Sequence, residues 1–112
     1  MKGQNLGEFE ETVLLWVTIQ HEKAYGLSIA KAIEEEMNRS VTLSSVHTAL
    51  YRLEEKGLVE SKMGEAAPVR GGRRKRIFII TNTGKEALLQ AREMRNKLWA
   101  MVPDNLLLRW NI

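Results

Sequence analysis

Five cations fall within seven residues of the chain: Arg70, Arg73, Arg74, Lys75 and Arg76. A cluster this dense binds polyanions electrostatically when a fold presents it on one face, and is otherwise a solvated loop. Charge is distributed to match. Residues 1–60 hold six Lys/Arg against ten Glu, and residues 61–112 hold eleven Lys/Arg against four acidic residues. A second group combines short hydroxyls with longer polar side chains: Ser44, Ser45, His47, Thr48, Tyr51 and Arg52. On one helix face, the hydroxyls and the free N–H groups of the first turn donate to phosphates, while the longer side chains reach further out. Taken singly these residues are weak signals. Tyr51 can pack on a core rim, His47 can be a plain surface imidazole, and Arg52 can pair with Glu55 for ~0.2–0.5 kcal/mol.

Other chemistry is poorly provided for. The chain has no cysteine, two histidines (His21 and His47) and one aspartate, Asp104. That removes thiol nucleophiles, disulfides and cysteine-ligated zinc, and it suits a reducing cytoplasm. No nucleophile–base pair can be named, His21 beside Glu22 is no metal site, and no cofactor is expected. Gly71-Gly72 runs into arginines rather than a helix start, so it is no dinucleotide fingerprint. At 112 residues, with 44% hydrophobic and 28% charged residues, the chain reads as one globular unit. Its start, followed by Glu8, Glu10 and Glu11, is unlike a signal peptide, and the apolar run Val13 to Val17 is far short of the roughly 20 residues of a membrane span.

The elements that must position these residues can be read from periodicity. A first helix from Leu6 to Gln20 carries Leu6, Phe9, Val13, Val17 and Gln20 on one stripe, but Leu14, Leu15, Trp16 and Ile19 fill most other directions. A helix apolar nearly all round needs cover on two sides, which points to a second subunit. The second helix, Leu27 to Met37, buries Leu27, Ile29, Ala30, Ile33 and Met37. Thr42 caps the third, from Leu43 to Lys56, and Gly57 ends it in the left-handed conformation. That helix buries Leu43, Val46, Leu50 and Leu53, which turns Ser44, Ser45, His47, Thr48, Tyr51 and Arg52 outward. Strands from Leu58 to Glu65 and Arg74 to Thr81 flank a charged loop, and Thr81 caps a last helix reaching Val102.

Three helices followed by a hairpin with a basic tip is the winged helix arrangement, mainly α with a small β-hairpin and a relative of the helix-turn-helix. In it the third helix enters the major groove, where Arg is the commonest reader of guanine, and Arg70, Arg73, Arg74 and Lys75 of the wing reach phosphates or the minor groove. The chain resembles the PadR family of bacterial transcriptional regulators in three stretches. These are Ala24-Tyr25-Gly26-Leu27-Ser28-Ile29, then Ser45 to Val59, then Gly71 to Arg76 leading to Thr81-Asn82-Thr83-Gly84. The resemblance spans Leu6 to Val102 and implies a dimeric repressor, with Tyr25 joining the DNA-contacting set. Two departures stand out: His47 where the family usually has Tyr, and Thr48 where Pro often follows. With one carboxyl-terminal helix and a short tail, the chain is similar to the small subgroup. Residues 1–81 are then a DNA-binding domain, and 82–112 a dimerisation helix and tail.

The last helix supports a dimer independently. Ala87, Ala91, Met94, Leu98 and Met101 recur at spacings of four and three, a heptad-like seam widened by Leu88, Trp99 and Val102. Packed against the first helix of a partner, it makes an interface of Leu6, Phe9, Val13, Trp16, Ala91, Met94, Leu98, Trp99, Met101 and Val102; the alternative is a monomer whose last helix folds back on its own first helix. The resemblance further implies a flat aromatic effector at that interface, beside Trp16, Trp99, Met94 and Met101. The apolar tail Leu106 to Trp110 is expected to dock on the dimer. The expected partners are double-stranded DNA and a second copy of the chain, acting on an inverted-repeat operator in the cytoplasm without membrane contact. Two rivals remain: a winged helix that binds proteins, and non-specific nucleic acid or anionic membrane binding through the wing.

Overall fold

The computed structural model describes residues 5–66 and 74–107. Helix α1 (Glu8–Gln20) is followed by a 3-10 turn (His21–Lys23), α2 (Gly26–Met37) and α3 (Leu43–Glu55). Strands β1 (Val59–Ala66) and β2 (Arg74–Ile80), the long helix α4 (Asn82–Ala100) and a single helical turn α5 (Asp104–Leu107) complete the chain.

Local chemistry fixes the boundaries. Asn38, left-handed at φ 53°, stops α2. Thr42 then caps α3, its Oγ1 accepting from the Ser45 N–H at 3.0 Å, while the Ser45 hydroxyl donates back to the Thr42 carbonyl at 2.8 Å. Gly57 takes the left-handed conformation (φ 77°) after α3, as its position predicts. The antiparallel hairpin pairs Val59 with Ile80 and Ser61 with Phe78, then bulges between Met63 and Ala66.

One core joins α1, α2, α3 and the hairpin: Val13, Leu14, Val17, Ala24, Ile29, Ile33, Val46, Ala49, Leu50, Leu53, Leu58, Val59 and Phe78. Phe78 fastens the hairpin twice. Its ring lies in the core, and its N–H donates to the Ala24 carbonyl at 2.9 Å, so β2 is also paired to the chain entering α2. Leu27, Met37 and Leu43, expected inside, are instead exposed. They stand in the first or last turn of their helices, where the axis has passed the edge of the core. Gly26 and Ala49, both buried, lie on the sides that do face it.

The base of α4 is keyed to the hairpin. Thr81 Oγ1 accepts from the Gly84 N–H at 3.0 Å and donates to the Gly57 carbonyl at 2.7 Å. Gly84 lies so close to Leu58 that a methyl group there would overlap the Leu58 carbonyl. Beyond this root, α4 leaves the body. Of its 19 residues only Gly84 is buried, and the radius of gyration is 16.8 Å against about 13 Å for a compact chain of this length. Among the described residues no helix is long and apolar enough to cross a membrane.

A contact between distant residues closes the amino-terminal side. Glu10 receives the Lys56 ammonium at 2.6 Å and the Gly7 N–H at 3.2 Å, while Lys56 also donates to the Asn5 carbonyl at 2.7 Å. Burial works against the Glu10 charge, but Lys56, the Gly7 N–H and Arg52 outweigh it and hold the carboxyl below its ordinary range. A carboxyl so depressed stabilises the fold above its unfolded pKa, and that stability is lost as pH falls through the folded value. Glu10→Gln is therefore expected to cost about 1–2 kcal/mol at pH 7. In urea titrations the gap to wild type narrows as pH falls below about 4; a constant gap would contradict this role.

Candidate functional site

The buried stripe of α3 turns the opposite face to solvent, and Ser44, Ser45, Thr48, Tyr51 and Arg52 are all exposed there, with His47 half-buried. The face has two flanks. On one, His47 and Tyr51 stack with ring centroids 6.0 Å apart and planes at 27°. They border a cleft of about 260 Å³ between α3, the start of α2 and β2, which Tyr25, Lys75 and Arg76 also line. The Lys75 ammonium sits 4.4 Å above the Tyr25 ring, a cation–π contact that ties the wing strand to the start of α2. The structure thus brings together four residues named from sequence, Tyr25, His47, Tyr51 and Lys75, drawn from α3, β2 and the entry to α2.

On the other flank, Ser45, Thr48 and Arg52 face a cleft of about 490 Å³ beside Gly7, Glu8, Phe9 and Glu10 at the start of α1. Arg52 therefore stands near carboxylates on this side. The Ser45 hydroxyl already donates into the α3 cap, which leaves its lone pairs rather than its proton for a ligand.

Among the described wing cations, Arg74 and Arg76 are held by hydrogen bonds. The Arg74 Nε donates to the Gly64 carbonyl at 2.9 Å across the bulge. Arg76 Nη1 donates to the Ser61 hydroxyl at 2.8 Å, which in turn donates to Glu54 Oε2 at 2.8 Å. Arg70, Arg73 and the Gly71-Gly72 pair lie outside the described residues. Sequence reasoning left Arg76 out of the contacting set, although strand alternation from Arg74 pointed to it. It also missed Gly26, whose Cα lies hard against the His47 imidazole. Among the described residues there is no group of three or more His, Asp or Glu able to hold a metal.

The surface expected to meet a second subunit needs one correction. Val13 is sealed in the subunit's own core and has no surface to offer a partner. Leu6, Phe9 and Trp16 are half-buried against that same core. Phe9 lies under the Arg39 guanidinium (5.2 Å), and the Trp16 N–H points to Met37 Sδ at 3.5 Å. The apolar residues that α1 does expose are Leu15 and Ile19, 44% and 63% accessible. Met94, Leu98, Trp99 and Met101, on α4 and at its carboxyl end, are all more than half exposed; Ala91 and Val102 are partly so. Between α1 and α4 runs a groove of about 530 Å³ lined by Leu15, Thr18, Leu88, Leu89 and Trp99, with the Glu11–Arg95 ion pair along it. Trp16, Met94 and Met101 do not line this groove. In the tail Leu106 is exposed, and Leu108 to Trp110 lie outside the described residues.

The sequence model of the transcriptional regulator PadR-like family matches residues 14–90, a span that contains α2, α3 and the hairpin. The chain belongs to the PadR-like family. Among solved structures, a PadR-like transcription factor from Bacteroides fragilis superposes with a TM-score of 0.70 at 20% identity, covering 84% of this chain and 85% of its own. A PadR-like transcriptional regulator from Bacillus cereus gives 0.69 at 21% identity, covering 88% and 90%. Bacillus subtilis PadR, solved in complex with operator DNA, gives 0.62 at 18% identity over 73% of this chain and 45% of its own. No curated protein matches the sequence. PadR-like proteins are transcription regulators and not enzymes, and this chain has their winged-helix fold.

The contact between Gly26 and His47 is directly testable. Gly26→Ala is expected to cost about 1–3 kcal/mol by overpacking. In a His47→Ala background the same substitution becomes nearly neutral, because the overlapping ring is gone. Chemical unfolding of the four proteins measures the cycle, and equal costs in both backgrounds would rule the contact out.

Proposed function

We propose that this PadR-like regulator binds a specific DNA operator as a homodimer, most simply as a repressor of an inverted-repeat site in the bacterial cytoplasm. The observation that carries the reading is the juxtaposition of the polar α3 face with the wing strand, which gathers His47, Tyr51, Tyr25, Lys75 and Arg76 around one cleft. In a winged helix, α3 enters the major groove and the wing lies alongside. Tyr51 and Arg52 then read base edges, Ser44 and Thr48 position the helix on the backbone, and Arg74, Lys75 and the loop cations Arg70 and Arg73 grip phosphates. The Bacillus subtilis relative solved with operator DNA supports the same partner. A protein-binding winged helix would instead present an apolar α3 face.

Dimerisation rests on α4. The exposed Met94, Leu98 and Met101 repeat at four and three residues, a pattern that buries itself against another helix. Leu15 and Ile19 of α1 offer the complementary apolar surface, and residues 82–112 form the dimerisation element. Two linked α3 helices fit half-sites about one helical turn (~34 Å) apart. The groove along Leu15, Leu88, Leu89 and Trp99 accommodates a flat aromatic effector.

Selection of bound duplexes from a random pool with the purified protein is expected to return one inverted repeat. Tyr51→Ala or Arg52→Ala should then cost about 1–3 kcal/mol on that operator and less on random duplex. Neutralising Arg74 or Lys75 should weaken both alike and lower the salt slope by about 0.9 for each phosphate left unengaged. Uniform loss from both kinds of variant would leave only non-specific binding. Leu98→Glu is expected to halve the mass seen by light scattering, and an unchanged mass would remove α4 from the interface.

A further inference from the structure

Glu54 is oddly placed. It lies in the last turn of α3, where a carboxylate opposes the helix dipole. It also borders the face that holds Tyr51, one turn away, and any polyanion approaching that face meets its charge. Its hydrogen-bond partner lies on the wing instead of on α3. Its Oε2 accepts the Ser61 hydroxyl proton from β1 at 2.8 Å, and Ser61 Oγ accepts from the Arg76 guanidinium of β2 at 2.8 Å. The chain of donors runs in one direction, cation to hydroxyl to anion, and each bond is assisted by a charge at one end. It crosses from the wing to the reading helix by side chains alone, outside the hydrophobic core.

We propose that Glu54, Ser61 and Arg76 form a tether that sets the spacing between the wing and α3, making Glu54 and Ser61 positioning residues for sequence discrimination. Level with the tether, Phe78, the cross-strand partner of Ser61, lies in the core and bonds to Ala24, which anchors the hairpin from inside. Towards the tip the ladder is irregular, with a bulge between Met63 and Ala66. The tether braces the hairpin to α3 on the near side of that bulge. It also holds the guanidinium of Arg76, a residue that lines the cleft with Tyr51 and Lys75. With the tether intact, helix and wing meet DNA as one rigid surface, and a duplex that fits only one of them is rejected. Without it, the wing still supplies charge but no longer reports register. The inference rests on the DNA-reading role of this face, while its geometric half is testable without DNA.

The absence of native cysteine allows a clean distance measurement. Spin labels at Glu55→Cys on α3 and Lys62→Cys on β1, in the full-length protein, are expected to give a narrow distance distribution. Ser61→Ala and Glu54→Gln should each broaden it, and Ser61→Thr, which keeps the hydroxyl, should restore it. On DNA, the ratio of affinity for the selected operator to that for random duplex should fall about threefold to tenfold with Ser61→Ala, the scale of one hydrogen bond. Ser61→Thr should again recover it, with the salt slope on random duplex unchanged. An unbroadened distribution in Ser61→Ala overturns the tether. A broadened one with undiminished operator preference overturns its part in discrimination. A wild-type protein that prefers no duplex overturns the DNA-reading role while the distance test stands on its own.

Discussion

The burial of one stripe on α3 governs what the rest of the molecule presents. Val46, Leu50 and Leu53 are wholly inaccessible and Ala49 nearly so, and each larger side chain contributes about 1.5–3 kcal/mol by leaving water. Rotating α3 by a single residue would drive Tyr51 or Arg52 into the core and pull Leu50 out, so the helix has one permitted orientation about its axis. The outward face follows from that constraint and not from any preference of its polar residues. The same constraint places β1, because Gly57 and Leu58 turn directly from the end of α3 into the hairpin. The wing therefore inherits its position from α3.

Electrostatics divides the molecule along the same line. Carboxylates of the acidic first half are drawn into internal pairs: Glu10 holds Lys56, Glu11 holds Arg95, and Glu54 faces Ser61. Carboxylates engaged in this way direct part of their field onto their partners. The net charge is only +3, but eleven of the seventeen Lys/Arg fall in residues 61–112 against four acidic residues, so the positive excess belongs to the second half of the chain.

What could be read from sequence was whatever is decided locally. Thr42, Thr81 and Gly57 marked helix ends because capping needs only a neighbour's N–H or a left-handed residue, and all three act as expected. The α3 stripe was legible at Val46, Leu50 and Leu53 because its spacing has a single reading there, while Leu43, in the first turn, stands clear of the core. Helix α1 was not. Apolar residues on nearly every side leave its orientation to tertiary packing, so Val13, assigned to a partner, faces inward, Leu6, Phe9 and Trp16 are half-buried, and Leu15 and Ile19 face outward. The ion pair of Glu10 with Lys56, 46 positions apart, and the bonds from Ser61 to Glu54 and Arg76 follow no periodic pattern. Such contacts become visible only once the chain is folded.

Helix α4 is a rod of about 28 Å whose firmest seat is its first turn, where Gly84 sits against the Leu58 carbonyl. A lever pivoted at one end amplifies small rotations: tilting it by about five degrees carries the far tip through about 2.4 Å. The Glu11–Arg95 ion pair is the counterweight, tying the outer half of the rod back to α1 across the groove, so the reach of the tip is set by that polar strut.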